Sequence, residues 1–263
     1  MGANDRVMGL PLRTEQLVAG HGRRALTVPL DLAIAEGQLV ALLGNNGIGK
    51  SSLLYTLGGL LAPIGGQVLI NGKPLGGMSA NERSRAVAMV LSGRPRTGML
   101  RVREVVAMGR MPWTDALGRQ TAEDERIVDG SMRAAEASAL GGRTFEQLSD
   151  GEAQKVMIAR ALAQRTTVLL LDEPTAFLDV AHRALVMRLL RSIARDRGVT
   201  VVFSTHDLAQ ALRTADRIVL MQGEGNVWQG SPREALASDV LERAFQIERS
   251  HIGPDEFRLD PQL

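Results

Sequence analysis

Apolar positions along the chain switch between two periods. Leu30, Leu32 and Ile34 alternate with Asp31 and Ala33, which predicts a half-buried strand. After the turn at Glu36-Gly37, the run Leu39-Val40-Ala41-Leu42-Leu43 is apolar throughout and predicts a strand covered on both faces. Leu53, Leu54, Leu57, Leu60 and Leu61 follow at helical spacing. Val68-Leu69-Ile70 runs into Asn71-Gly72, a strong hairpin signal. A further apolar run covers Val87 to Leu91. From Val102 to about Leu140 the pattern is mostly helical and holds no convincing strand. Strand patterns return at Val168 to Leu171, Val199 to Phe203 and Ile218 to Met221, with Asn226-Val227-Trp228 a weaker candidate. There is no internal repeat and no low-complexity tract. The pattern is α/β with a helical insert near residues 94–160.

Composition narrows the class without changing this picture. A chain of 263 residues can bury a sizeable core, and 44% hydrophobic with 23% charged residues is ordinary for a globular protein. The formal net charge is only +2, and the basic residues, mostly arginine, are spread along the chain, so no nucleic-acid partner is expected. With no cysteine there is no disulfide framework, and a reducing compartment fits. The apolar runs are far shorter than the ~20 residues of a membrane span, and the start MGANDRVMGLPLR lacks a signal-peptide core. Work at a membrane would therefore go through a partner.

The stretch GNNGIGKSS carries the first chemistry. Gly44, Gly49, Lys50 and Ser51 fit G-x-x-x-x-G-K-[ST] without mismatch, between a buried strand and a leucine-rich helix. Glycines let backbone N–H groups turn inward around phosphates, and the helix N-terminus adds partial positive charge. Gly44, Asn45, Asn46, Gly47, Ile48, Gly49, Lys50, Ser51 and Ser52 are thus the expected ATP-binding residues, with Lys50 on the β- and γ-phosphates and Ser51 on Mg²⁺. The second motif is the apolar strand ending in Asp172-Glu173. Asp172 is expected to hold Mg²⁺, through water, and Glu173 to polarise the attacking water as general base.

Between these motifs stands QLSDGE, followed by an amphipathic helix. Ser149 with Glu152 fits the S-x-x-E capping box. The same stretch closely resembles the signature motif of ATP-binding-cassette (ABC) ATPases, usually LSGGQ. The resemblance implies that Ser149, Asp150, Gly151 and Glu152 act on ATP held by a second subunit, so that only a dimer completes the site. Ala176-Phe177-Leu178-Asp179 resembles the family's D-loop, which crosses the dimer interface at Asp179, and Ser204-Thr205-His206-Asp207 resembles its switch loop. His206 is then expected at the γ-phosphate, supporting the attacking water. The resemblance covers roughly residues 12 to 230. It implies a P-loop NTPase (RecA-like) core with an antiparallel β subdomain and an inserted helical subdomain. The core lobe falls at about 10–93 and 161–232, the helical subdomain at about 94–160 and a C-terminal helical tail at about 233–263.

Three positions depart from the family pattern. Asp150 replaces the first signature glycine and Glu152 the glutamine, where glutamate is a known variant. A carboxylate at 150 is unhelpful beside phosphate unless it points away. His21 stands where the family stacks an aromatic ring on adenine; an imidazole can also stack, with less area. After Val87 to Leu91 the family carries a glutamine that couples Mg²⁺ to the membrane partner. This chain reads Leu91-Ser92-Gly93-Arg94, with Gly93 in the place and Ser92 the alternative. Either water fills in, or Arg94 takes the coupling role.

The segment Val102 to Trp113, VREVVAMGRMPW, continued by Ala116-Leu117-Gly118-Arg119, is similar to importer ATPases for iron–siderophore complexes, haem and vitamin B12. Val102, Val105, Val106 and Met108 also suit an inward-packed helix face. This resemblance implies an ATP-hydrolysing homodimer on the cytoplasmic face of the inner membrane. It would be bound to two integral-membrane permease subunits and, indirectly, served by a substrate-binding protein. A soluble, non-transport ABC ATPase and a nucleotide-dependent regulatory module are the rival readings.

Overall fold

The computed structural model describes residues 10–115 and 117–246. The expected tail is therefore described only as far as 246, and Ala116 lies outside the described residues.

The chain opens with strand β1 (Leu12–Val18), hairpin strands β2 (Gly20–His21) and β3 (Arg24–Ala25), and short β4 (Ala33–Ile34). β5 (Leu39–Leu43) leads into helix α1 (Lys50–Leu57), then β6 (Gly65–Ile70) and β7 (Lys73–Pro74). Helix α2 (Ala80–Ala86) precedes β8 (Val87–Val90). Helices α3 (Val102–Ala107), α4 (Ala122–Ala134) and α5 (Asp150–Ala163) follow without a strand between them. The alternation then resumes with β9 (Val168–Leu171), α6 (Val180–Arg197), β10 (Thr200–Thr205), α7 (Leu208–Thr214), β11 (Arg217–Met221) and β12 (Val227–Gly230). Short helices α8 (Pro232–Ala237) and α9 (Val240–Phe245) end the described chain.

Two sheets result. One runs β12-β11-β5-β10-β9-β8, parallel except for the β11–β12 pair; the other is antiparallel, β4-β1-β6-β7. All five residues of β5 are buried, because the strand is covered on both faces. Leu39, Ala41 and Leu43 face a core shared with α3, α4, α5 and α6, whereas Val40 and Leu42 face α1 and the antiparallel sheet. A parallel sheet puts the carboxyl ends of β5, β8, β9 and β10 on one edge, and the loops leaving that edge carry the expected site.

Several elements differ from the pattern reading. β1 escaped it because Gln16 sits at φ 47 and the register with β6 shifts between Glu15 and Val18, which breaks the period of two. The strand around Leu32 shrinks to Ala33–Ile34, although Leu30, Leu32 and Ile34 are all buried. Helix α1 stops at Leu57, before Leu60 and Leu61, since Gly59 turns at φ 72 and leaves Leu60 58% exposed. The Asn71-Gly72 hairpin is present, with both residues at positive φ as a tight two-residue turn requires.

The Arg110-Met111-Pro112-Trp113 stretch is knitted into the fold. Arg110, 5% exposed, donates to Asp124 (2.8 Å) and to the Ala163 carbonyl (2.8 Å). Arg85 and Arg110 both lie over the Trp113 ring, 4.5 and 5.2 Å from its centroid. Trp113 Nε1 donates to Gln164 O (2.9 Å), so this segment joins α2, α4 and the end of α5.

Candidate functional site

The loop between β5 and α1 turns on Gly47 (φ 77) and Gly49 (φ 108), where a side chain is disfavoured. Asn45, Asn46 and Gly47 are exposed, whereas Lys50 is only 6% exposed. Lys50 Nζ donates to the carbonyls of Gly44 (2.9 Å) and Asn45 (3.1 Å), so the ammonium curls over its own loop. Burial lowers the Lys50 pKa, while the charges of Glu173 and Asp172 pull it back. His21, on the β2–β3 hairpin, brings its Nε2 within 2.6 Å of Ser52 Oγ, which ties that hairpin to the first turn of α1.

Asp172 follows β9 and is 2% exposed. Its Oδ1 accepts from Ser51 Oγ (2.9 Å) and Ser204 Oγ (2.7 Å), and its Oδ2 from Tyr55 OH (2.9 Å). Burial pushes the Tyr55 hydroxyl pKa up, and the hydrogen bond to Asp172 adds to this. The donor set is hydroxyl and carboxylate oxygen throughout, which suits a hard cation such as Mg²⁺. Among the described residues no cluster of three or more His, Cys, Asp or Glu could cage a metal.

Glu173 sits at φ 45, a left-handed backbone that costs a non-glycine residue on the order of 1 kcal/mol. Its N–H donates to Ser204 Oγ (2.8 Å), so one serine hydroxyl locks both acids. Glu173 Oε1 then lies 3.4 Å from His206 Nδ1 and 3.9 Å from Lys50 Nζ. The expected Lys50, Ser51, Asp172, Glu173 and His206 are thus assembled from three loops. Tyr55 was missed, and Ser204 was placed in the switch-loop stretch without a role on the acids. Tyr55 lies four residues after Ser51 on the same helix face, and Ser204 lies two before His206, so spacing could have found them. Asn45 was expected, but its Nδ2 donation to Ala244 O (3.0 Å) was not; it links the loop to α9.

The other expected residues gather nearby. Ser149 caps α5: its Oγ accepts from Glu152 N (3.3 Å), and Glu152 Oε2 accepts from Ser149 N (2.8 Å). That backbone bond is the main cause of a lowered Glu152 pKa, with Arg143 at 2.9 Å adding to it. Gly151 is buried, and a Cβ there would meet the His182 ring at 2.5 Å. Asp179 caps α6, accepting from the His182 backbone N–H and from ring Nδ1–H, each at 2.8 Å. These bonds hold the Asp179 carboxyl below its usual range. Asp150 points at Arg94, 3.7 Å away, with its side chain 63% exposed. Residues 149–152 thus find their partners in Arg94, Arg143 and His182, none of them in the phosphate loop.

Gly93 has φ 86, and nothing lies within 4 Å of where its Cβ would be. The adjacent Ser92 side chain instead acts on the Tyr55 hydroxyl, opposing the rise in its pKa, and Tyr55 itself donates to Asp172 (2.9 Å). A cleft of ≈ 90 Å³, lined by Gly93, Arg94, Asp150, Gln154, Asp172 and Glu173 among others, separates the acid pair from the α5 N-terminus. Asp172 N–H donates to Val90 O (2.8 Å), which anchors the start of that loop to the acids.

A strand-to-glycine-loop-to-helix turn facing paired acids is an arrangement that suits phosphoryl transfer. A sequence model of the family described as ABC transporter matches residues 28–176. The ferric enterobactin transport ATP-binding protein of Escherichia coli is 35% identical over 236 residues, 90% of this chain and 87% of that protein. The hemin import ATP-binding protein of Nocardia farcinica is 42% identical over 228 residues, 87% of this chain and 78% of that protein. A dimeric ATP-binding cassette in a post-hydrolysis state, bound to ADP and Pi, superposes with a TM-score of 0.70 at 27% identity, covering 84% of this chain and 99% of that one. The chain belongs to the ABC transporter family, as one of its ATP-binding, ATP-hydrolysing subunits.

Proposed function

We propose that the chain is the peripheral ATPase of an importer for a metal chelate, an iron–siderophore, haem or cobalamin-like cargo. The observation that carries the chemistry is Ser204 locking Asp172 and Glu173 while Lys50 and His206 stand at 3.9 and 3.4 Å from the Glu173 carboxylate. In this reading residues 44–52 cradle the phosphates, and Lys50 leaves its loop carbonyls for the β- and γ-phosphates. Ser51 and Asp172 hold Mg²⁺, which neutralises phosphate charge when bound. Glu173 accepts a proton from the attacking water, His206 steadies that water and the γ-phosphate, and His21 stacks on adenine beside Ser52.

Two copies would assemble head to tail, so that Ser149 and Gly151 of each close over the nucleotide of the other, with Asp179 at the interface. The similarity to a dimeric cassette supports this arrangement. No described helix is long and apolar enough to cross a membrane, so a place at the cytoplasmic face of the inner membrane would rest on two permease subunits, served by a substrate-binding protein. Residues 94–160 form the helical subdomain that meets the permeases, and residues about 10–93 and 161–232 the core lobe. The names of the siderophore and hemin relatives support the cargo class, and the small, dispersed net charge gives no reason to add a nucleic-acid partner. Deleting the gene should abolish energised uptake of one such chelate. Unchanged uptake of ferric siderophores, haem and cobalamin alike would overturn the proposal.

A further inference from the structure

Arg94 joins the two places where this chain departs from the signature and glutamine patterns. It follows Gly93, and its guanidinium reaches into the turn that opens α5. Nη1 donates to Leu148 O (2.8 Å) and lies 3.7 Å from Asp150 Oδ1. Nη2 donates to Phe145 O, and the guanidinium carbon stands 5.2 Å from the Phe145 ring centroid. A planar fork meets two carbonyls and a carboxylate from nitrogens held in one fixed geometry, whereas an ammonium is a compact point charge on a flexible stem and fixes no such geometry. The other end of the loop is just as fixed, because Val90 O accepts from Asp172 N (2.8 Å) and Val90 pairs with Leu171 across β8–β9. Four residues therefore connect the acid pair to the α5 N-terminus, with Gly93 at φ 86 and open space around it as the pivot. Thr97 N–H adds a second tie to the same turn at Glu146 (3.2 Å).

We propose that Arg94 is a positioning residue that fixes the Ser149–Gly151 turn relative to Asp172 and Glu173, and that it neutralises Asp150 where a second copy's nucleotide would approach. Its effect on turnover rests on the dimeric ATPase reading; its mechanical effect rests on these contacts alone. In a head-to-tail dimer, a subunit's acids and its signature turn belong to two different nucleotide sites. Arg94 would then tie one site to the other within a single chain.

Two readouts on the full chain test this. The first is Mg-ATP turnover, with nucleotide affinity measured separately by fluorescent ATP titration. Arg94→Ala should lower kcat about tenfold, the loss expected of a charge-assisted contact, with affinity within about twofold. Arg94→Lys, which keeps the charge and the stem, should fall between. Adding Asp150→Gly to Arg94→Ala should recover about threefold, because the unpaired carboxylate is gone. A kcat for Arg94→Ala within twofold of the parent, or a double variant slower than either single one, would overturn the proposal.

The second readout does not need turnover. The chain has no cysteine, so Lys73→Cys and Glu125→Cys, both exposed, give a clean spin-label pair across the antiparallel sheet and α4. Arg94→Ala and Arg94→Lys should broaden the distance distribution of the nucleotide-free chain. An unchanged distribution in both variants refutes the strut whatever the kinetics. A broadened one in a chain that never turns over ATP would sink the ATPase reading and leave the strut standing.

Discussion

His206 Nδ1 stands 3.4 Å from Glu173 Oε1, each residue just past the end of a neighbouring parallel strand. The pair is built by the sheet: β9 and β10 run side by side, and Ser204 Oγ bonds the Glu173 N–H at 2.8 Å. Glu173→Gln keeps the shape and removes the carboxylate. Turnover should fall by at least about 10²-fold, the lower end of a general-base contribution. ATP affinity should remain, so size-exclusion chromatography with Mg-ATP should show a dimer that is absent without nucleotide. A variant that hydrolyses normally, or stays monomeric at high concentration with ATP, would count against the dimeric reading.

The phosphate loop and the acid pair were legible in the sequence because both follow short apolar strands whose periodicity is unambiguous. The locking groups were less so. Ser204 acts through a hydrogen bond across two strands, and Tyr55 through one from a helix to a strand end, so their roles depend on sheet order. The direction of Asp150 was equally hidden, since its partner Arg94 lies 56 residues earlier. The inward packing of Val102, Val105 and Val106 was readable from helical spacing, but Met108 is 43% exposed because α3 has given way to a tighter turn there.

The Arg110–Asp124 pair carries a pH dependence. Asp124 is 4% exposed, and its pKa is lowered from 3.8 to about 2, first by the Thr121 N–H and then by the Thr121 hydroxyl and Arg110. A depressed carboxylate adds stability that is present above pH 3.8 and lost as pH falls towards 2. Asp124→Asn should therefore cost roughly 2 kcal/mol at neutral pH, read by urea unfolding, with the gap to the parent closing below pH 3.8. A gap that stays constant down to the acid transition would mean that the pair's charge adds nothing.

Gly93→Gln tests whether the glutamine that the family resemblance implies at this place is missed. At φ 86 a side chain is disfavoured by roughly 1–2 kcal/mol, although no atom blocks it. Tyr55, whose hydroxyl the Ser92 side chain influences, already donates to Asp172 (2.9 Å). The expected outcome is a lower melting temperature with turnover within about threefold of the parent. A tenfold rise in turnover would show instead that the lost glutamine limits this enzyme.

Gly151 answers to two constraints, and a paired substitution separates them. Within the subunit its missing Cβ makes room for the His182 ring, which would otherwise be met at 2.5 Å. Across the proposed dimer it lets the turn approach phosphate. Gly151→Ala should push His182 away from Asp179, at an overpacking cost of about 1–3 kcal/mol, and should lower turnover sharply. His182→Ala clears the space, while the Asp179 cap keeps its backbone bond to residue 182 (2.8 Å). The double variant should thus regain most of the stability, measured by thermal unfolding, but not the turnover, because in the proposed dimer the turn itself, and not only its packing on His182, meets the second copy's nucleotide. If turnover returned together with stability, Gly151 would serve only packing inside its own subunit, and the anion-binding role of the turn would be lost.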